Sequence, residues 1–317
     1  MTPPPMHRAI PPSAAPVLPP SIQVIERGWL SSNNIVLRDA RHAAVVDTGY
    51  VSQSEQTLSL IRHALDTCPL AWVVNTHLHS DHCGGNAVLR RHYGCAIAIP
   101  HADAEAVRSW DEAQLSFRAT GQLCERFDFD RTLVPGDTIT LGDLRWNILG
   151  APGHDPHAVM LYCADEGVLI SGDALWQNGF GVIFPELDGL GGFAEQQALL
   201  ECIAGLDLRC VIPGHGAPFG DVGAALDRAF SRLAYLRADP RRNARNALKV
   251  LIVFKLLEVR RMRREAFREF AAHSSVVQSC LRWFDTPGDV ALADLLEELA
   301  RGGTLRMHPD EDGIEAI

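Results

Sequence analysis

The chain has 317 residues, 47% of them hydrophobic, with a formal charge of −10 and a pI near 5.7. That length supports one large core plus a small second unit, and the acidic balance disfavours extended phosphate-backbone binding, which needs many Lys and Arg contacts. No apolar run approaches the roughly 20 residues that cross a membrane; the eight cysteines are scattered without paired spacing, which excludes a disulfide scaffold and fits a reducing, cytoplasmic setting.

Eight of the first twenty residues are proline and no hydrophobic signal core is present, so residues 1–20 read as a disordered or polyproline arm and export is not expected. Strand-like alternation begins at Ser21. Short apolar runs at 35–37 and 43–46 read as strands, and the second closes on Asp47, followed by the turn signal Thr48-Gly49. Helical spacing covers 55–65, and another buried-strand pattern covers 70–75.

Directly after that strand the chain reads Thr-His-Leu-His-Ser-Asp-His-Cys-Gly-Gly, with His77, His79, Asp81 and His82 inside six residues. Imidazole and carboxylate are the usual ligands of a divalent transition metal, and groups that repel when protonated gain little else from such crowding. A histidine-rich polar loop would account for one or two of these residues, not readily for four. Gly84 and Gly85 break the pattern before a helix resumes at 86–93, so the cluster occupies a strand-to-helix loop. Cys83 has no partner cysteine nearby and reads as a small buried residue.

Further strands are expected at 96–99, 145–149, 168–170 and 211–212, and helices at 103–110, 193–206 and 222–236; this mixture indicates an α/β architecture. Three of those later strands lead into polar residues: His154 and His157 in Gly-His-Asp-Pro-His, Asp173 in Gly-Asp, and His215 in Gly-His-Gly. Strand ends gathered at one sheet edge can converge, and a carboxylate such as Asp173 can bridge two cations about 3.5 to 4 Å apart.

The ordered set His-x-His-x-Asp-His, Gly-His, Gly-Asp, Gly-His resembles the metallo-β-lactamase-fold hydrolases, the broad superfamily that includes glyoxalase II and tRNA 3′-processing nucleases, over roughly residues 21–236. The resemblance implies a four-layer αβ/βα sandwich with metals at the shared edge of two sheets. It assigns His77, His79 and His154 to one metal, Asp81, His82 and His215 to a second, and Asp173 to both. It places Asp47 behind the ligands, hydrogen-bonded to a ligating histidine, although the residue also reads as an ordinary turn aspartate. Two divalent ions are implied; zinc suits the donors best, and iron or manganese accepts the same set.

Ligand chemistry then suggests hydrolysis: paired cations lower the pKa of a shared water, and Asp81 accepts its proton. His157 reads equally as a proton donor to the leaving group, as a supporting group behind the ligands, or as a plain loop histidine. Trp176 and Phe180, on a glycine-rich segment after Asp173, read as an apolar pocket wall, with Phe184 left between wall and core. By family comparison lactamases lack the bridging acid while thioester and phosphodiester hydrolases possess it, which shifts the expectation toward those two; the leading reading is a small-molecule ester or thioester, and no glutathione-binding pattern is recognisable.

Residues 240–317 are distinct. A basic stretch from Arg241 to Arg268 contains an apolar helix at 247–257, followed by helices at 264–272 and 290–300, a Gly302-Gly303 turn and a strand at 304–307. This order resembles the winged-helix domain appended to some lactamase-fold hydrolases, including an endoribonuclease. A phosphodiesterase or endoribonuclease acting on single-stranded nucleic acid is therefore the alternative, and a metal-binding regulatory protein with little turnover is a further one. Acids outnumber bases from Asp285 onward, and a basic helix face is more often solvated or packed on its own acidic surface. Oligomeric state and substrate identity are not legible.

Overall fold

In the computed structural model, residues 16–308 and 312–317 are described; the first fifteen residues of the proline-rich arm lie outside them. The first sheet runs β1 (Ile22–Ile25), β2 (Asn34–Arg38), β3 (Ala43–Val46), β4 (Leu70–Val74), β5 (Ala96–Pro100) and β6 (Arg131–Leu133) in that order. The pairs are antiparallel up to β3 and parallel from β3 to β6. The second sheet is built from β7 (Thr138–Leu141), β8 (Leu144–Gly150), β9 (Val159–Cys163), β10 (Val168–Gly172) and β11 (Cys210–Pro213), with only β10 and β11 parallel.

Period-two alternation sorts the strand residues into layers. Leu37, Val46, Val74, Trp146, Leu161 and Ile170 meet in a core between the sheets. Val36, Val45, Val73 and Ile97 face the other way, onto α1 (Ser54–Leu65) and α3 (Asn86–Tyr93), whose apolar residues recur at helical spacing. On the far side Met160, Leu169 and Val211 pack under α6 (Phe193–Ala204) and α7 (Val222–Ala238). The result is helix, sheet, sheet, helix: the four-layer α/β sandwich that the family resemblance implies. Short α2 (Ser80–Cys83), α4 (Ala104–Ser109) and α5 (Phe117–Thr120) lie in the loops of the first half.

Strand direction decides where chemistry collects. Since β8 and β10 both run antiparallel to β9, and β11 runs parallel to β10, the carboxyl ends of β8, β10 and β11 share one edge. The carboxyl ends of β3 and β4 reach the same edge, because the backbone N–H of Val159 donates to Thr76 O at 2.8 Å and that of Asn33 to Gly214 O at 2.7 Å, stitching one sheet to the other. Loops beyond carboxyl strand ends are the usual ligand sites of such sheets.

The remaining chain forms α8 (Arg241–Val259), β12 (Arg261–Arg263), α9 (Arg264–His273), α10 (Ser275–Leu281), α11 (Gly288–Arg301), β13 (Leu305–His308) and β14 (Gly313–Ala316), with sheet order β12-β14-β13. The sequence placed the first helix at 247–257; it starts six residues earlier, behind Pro240, whose ring suits a helix start, and its basic first turns give no apolar signal. α10 and the strands β12 and β14 were not anticipated. This part has its own core, in which Leu248, Leu251, Ile252, Phe267, Leu295 and Ile314 are buried. It docks firmly on the sandwich: Phe254 meets Tyr50 edge-on at 5.1 Å, Asn243 Nδ2 donates to Ile183 O at 2.9 Å, and Trp283 Nε1 donates to Leu187 O at 3.1 Å. Among the described residues no helix is long and apolar enough to cross a membrane.

Candidate metal centre

Asp47 anchors the site. It is 1% exposed, sits at φ 57° just past β3, and accepts three hydrogen bonds: from Thr76 N (2.9 Å), Thr76 Oγ1 (2.8 Å) and His82 Nδ1 (2.8 Å). The His82 ring is thereby turned so that its Nε2 faces the cluster. Thr48 N donates to His82 O at 2.7 Å and Asn75 Nδ2 to the same oxygen at 3.0 Å, which closes the ligand loop onto two strand ends. Gly85 is required by this closeness: a Cβ there would lie 2.9 Å from Thr48 Cβ and would run into the Thr48 carbonyl.

The structure brings His77, His79, Asp81, His82, His154, Asp173 and His215 together at the common edge. Ligating atoms of His77, His79 and His154 lie within 4.8 Å of one another, as do those of His77, His82 and Asp173 and those of Asp81, His82 and His215. His79 Nδ1 and His154 Nε2 approach to 2.8 Å, and His215 Nε2 is 3.1 Å from Asp81 Oδ2. Asp173 touches both groups through different oxygens: Oδ2 is 3.5 Å from His154 Nε2, and Oδ1 is 3.4 Å from His82 Nε2. Three buried ring nitrogens, His77 Nε2, His82 Nε2 and His215 Nδ1, have no hydrogen-bond partner. Orphaned buried nitrogens are costly unless something else satisfies them, so this donor set fits divalent cations.

Electrostatics point the same way. Burial, reinforced by neighbouring rings, holds His77 well below the ordinary imidazole range, lowers His79, and brings His154 to about 4. Burial also opposes a charge on His82, but Asp173, Asp47 and Asp81 outweigh it and push that ring well above its usual value. Burial alone would raise Asp81 and Asp173; the cationic neighbours, His82 first, more than offset it and keep both carboxyls below their ordinary range. Neutral His77, His79 and His154 beside ionised carboxylates are in the protonation states that metal ligation needs, whereas His82 gives up a proton when it binds a cation. Cys83 is fully buried at the end of the ligand loop, as the sequence indicated, with its Sγ 3.7 Å from that of Cys124.

A cavity of about 700 Å³ opens onto the cluster, reaching His79, Asp81, His154, Asp173 and His215. Trp176 lines it and donates from Nε1 to Asp173 Oδ1 at 3.2 Å. Phe180 contributes from beneath, being 1% exposed and part of the core under β10. Phe184 belongs to the wall, 5.6 Å from the rings of both His79 and His154. His157 stands apart. Its Nδ1 is 2.7 Å from Asp103 Oδ1, its ring is 45% exposed, and it is not among the cavity-lining residues. A proton donor to a leaving group in the cavity has no geometric support at that position; a support for the loop carrying His154 does.

Several lining residues had no signal in the sequence. Trp29 is 65% exposed, stacks on His215 at 5.5 Å and meets Trp176 edge-on at 5.6 Å. The opposite wall is the face of α8 bearing Val250, Val253, Phe254 and Leu257, supplied by the C-terminal part of the chain. Asp103, the partner of His157, is buried and keeps one oxygen unpaired; burial raises its carboxyl, while the His157 hydrogen bond acts in the opposite sense. Only the apolar helix was conspicuous in the chain, and nothing local ties it or Trp29 to the strand ends.

The sequence model of the Metallo-beta-lactamase superfamily matches residues 27–215. The hydroxyacylglutathione hydrolase of Nitrobacter winogradskyi is 35% identical over 117 residues, 36% of this chain and 38% of that protein. This chain thus spans well under half the length of that relative. Among solved structures, a beta-lactamase domain protein from Burkholderia ambifaria superposes with a TM-score of 0.60 at 19% identity, covering 95% of this chain and 94% of the other. A metallo-beta-lactamase family protein from Thermus thermophilus gives 0.56 at 20% identity, covering 95% and 100%. Both likenesses run through the C-terminal elements as well as the sandwich.

Proposed function

The chain belongs to the metallo-beta-lactamase superfamily, and from that premise we propose that it is a binuclear metal-dependent hydrolase of small ester or thioester substrates. The observation that carries the reading is Asp173, whose two oxygens face two different groups of buried histidines. His77, His79 and His154 would hold one ion; Asp81, His82 and His215 the other; Asp173 both. Zinc is the proposed metal on donor chemistry, with iron or manganese accepted by the same ligands. Bound there, such ions supply Lewis acidity toward a substrate oxygen and lower the pKa of a water toward neutrality.

The protein's own residues do the rest. Asp81, ionised and reaching the cavity, orients the attacking water and accepts its proton. Asp47 fixes the proton of His82 on Nδ1, leaving Nε2 free as a donor atom. Trp176, Phe184 and the α8 face exclude water and hold the apolar part of the substrate, with Phe180 as the floor. His157 holds the 154–157 loop to Asp103. The name hydroxyacylglutathione hydrolase, carried by the curated relatives, supports an acyl-thiol substrate.

We read residues 240–317 as a winged-helix-like unit that walls the cavity. A nucleic-acid substrate is the weaker reading, since much of the basic stretch is answered within the chain: Arg241 by Asp239 and Asp285, Arg245 and Lys249 by Glu298, Lys255 by Glu258, and Arg264 by Asp312. A regulatory metal protein with little turnover has no need of a cavity reaching Asp81 and Asp173. Eight free cysteines accord with a cytoplasmic location.

Elemental analysis of the purified protein is expected to find about two equivalents of metal per chain, and Asp173→Ala to lose metal and hydrolysis while keeping its circular dichroism. One tightly held metal together with an unaffected Asp173→Ala variant refutes the binuclear reading. A panel of thioesters, lactones, phosphodiesters and β-lactams identifies the bond cleaved, and inactivity on all of them at full metal loading refutes hydrolysis.

A further inference from the structure

Three cationic side chains line the cavity, Arg27, Lys249 and Arg232, and they are not equivalent. Arg27 is satisfied by neutral partners, with Nη1 2.7 Å from Asn34 Oδ1 and 2.9 Å from Thr57 Oγ1 and Nη2 within reach of two glutamine oxygens. Lys249 is paired with Glu298 at 2.5 Å. Arg232, on α7, has neither a carboxylate nor a hydrogen-bond acceptor among the described residues, and its Nε is buried with no partner. Burial pulls its pKa below the usual guanidinium value.

Its surroundings hold it in place without neutralising it. The guanidinium carbon lies over the ring of Phe180 at 5.6 Å. Gly179, at φ +124°, leaves room for the side chain: a Cβ there would stand 2.9 Å from Arg232 Cδ. Gly179 belongs to the segment that starts at Asp173, closed by Trp176 N donating to Gly179 O at 2.7 Å and by Gly181 N donating to Asp173 O at 2.9 Å. One short loop therefore carries the carboxylate between the histidine groups and covers the unpaired cation, and both groups face one cavity.

A partly buried guanidinium with no carboxylate beside it is suited to bind an anion: desolvation has weakened its hydration, and a planar carboxylate offers two matched hydrogen bonds. We propose that Arg232 binds a carboxylate on the substrate, remote from the bond that is cleaved, while the apolar stretch between the two lies along Trp176 and the α8 residues Val250 and Val253. This assignment rests on the hydrolase reading above and names the substrate class: an acyl ester or thioester with an acidic end group and an apolar middle. Arg232 touches no reacting atom; its part is to set specificity.

The test uses the metal-loaded full chain and two probes with the same tail, octane-1-sulfonate and 1-octanol. Sulfonate is a weak metal ligand that presents oxygens much as a carboxylate does. Titration calorimetry is expected to show sulfonate binding to wild type and at least a tenfold loss in Arg232→Gln, about 1.4 kcal/mol, with octanol affinity unchanged in both. Arg232→Lys keeps the charge, loses the fork and falls between them. Equal binding of sulfonate to wild type and Arg232→Gln, or parallel losses for sulfonate and octanol, overturns the proposal. Melting curves of Arg232→Gln and Arg232→Lys confirm that folded protein is compared. Because the readout is binding, it stands even where hydrolysis fails: discrimination between the probes without turnover refutes only the hydrolase reading.

Discussion

Asp47→Asn isolates the role of a residue that touches no substrate. Asparagine tolerates the left-handed backbone at φ 57°, and it has the same size in a position that is 1% exposed, so the turn after β3 survives. What changes is the direction of one hydrogen bond. Asp47 Oδ2 accepts from His82 Nδ1 at 2.8 Å and from Thr76 Oγ1 at 2.8 Å. With an amide in that place, Nδ2 donates toward His82 Nδ1, and the imidazole proton is driven to Nε2, the atom that faces Asp81 and Asp173 at 3.8 and 3.4 Å. A metal must then expel that proton against an unfavourable tautomer. Loss of such a supporting carboxylate weakens metal affinity about 10- to 100-fold, roughly 1.4 to 2.7 kcal/mol. The loss should be selective, because His77, His79 and His154 make no hydrogen bond to Asp47: one equivalent leaves at a lower chelator concentration while the other stays. Metal content measured after dialysis against a graded series of chelator concentrations reads this directly. Equal retention of both equivalents in Asp47→Asn and wild type refutes the tautomer argument.

Gly214→Ala places a methyl in contact with Asp173 Oδ1 and 2.8 Å from His82 Cε1, so metal content and activity should fall while the melting temperature of the metal-free protein stays within a few degrees; an active, fully loaded variant contradicts this geometry. Trp176→Ala should raise KM about tenfold through lost apolar contact with no loss of metal, and unchanged kinetics remove Trp176 from the binding wall. The hydrogen bond to Asp103 raises the pKa of His157 in the folded protein. Its stabilising effect is therefore complete below the unfolded value of about 6.5 and is lost as pH rises through the folded value. Denaturant unfolding of His157→Gln against wild type from pH 5 to 9 should show a gap that closes with rising pH, and a gap independent of pH rejects the ion pair. The same variant should retain kcat, which distinguishes a loop support from a proton donor.

Local pattern in the chain gave the mixed α/β alternation and the positions of the candidate ligands, whereas the four-layer sandwich and the grouping of those ligands came only from the family resemblance. Buried runs such as Ala43–Val46 and Val168–Gly172 announce strands by composition, and each candidate ligand directly follows one of them. The half-exposed edges β6 and β7 carry weaker alternation and were missed, as was the buried β9, which follows the histidine loop. Only the tertiary structure decided which Asp173 oxygen faces which histidines, that His157 turns to Asp103 rather than to the cavity, and that Trp29, Arg232 and the α8 face surround one space. The physical reason is separation along the chain. Strand and ligand signals repeat within a few residues, whereas the cavity joins position 29 to position 257, and a contact of that span depends on how packed layers meet.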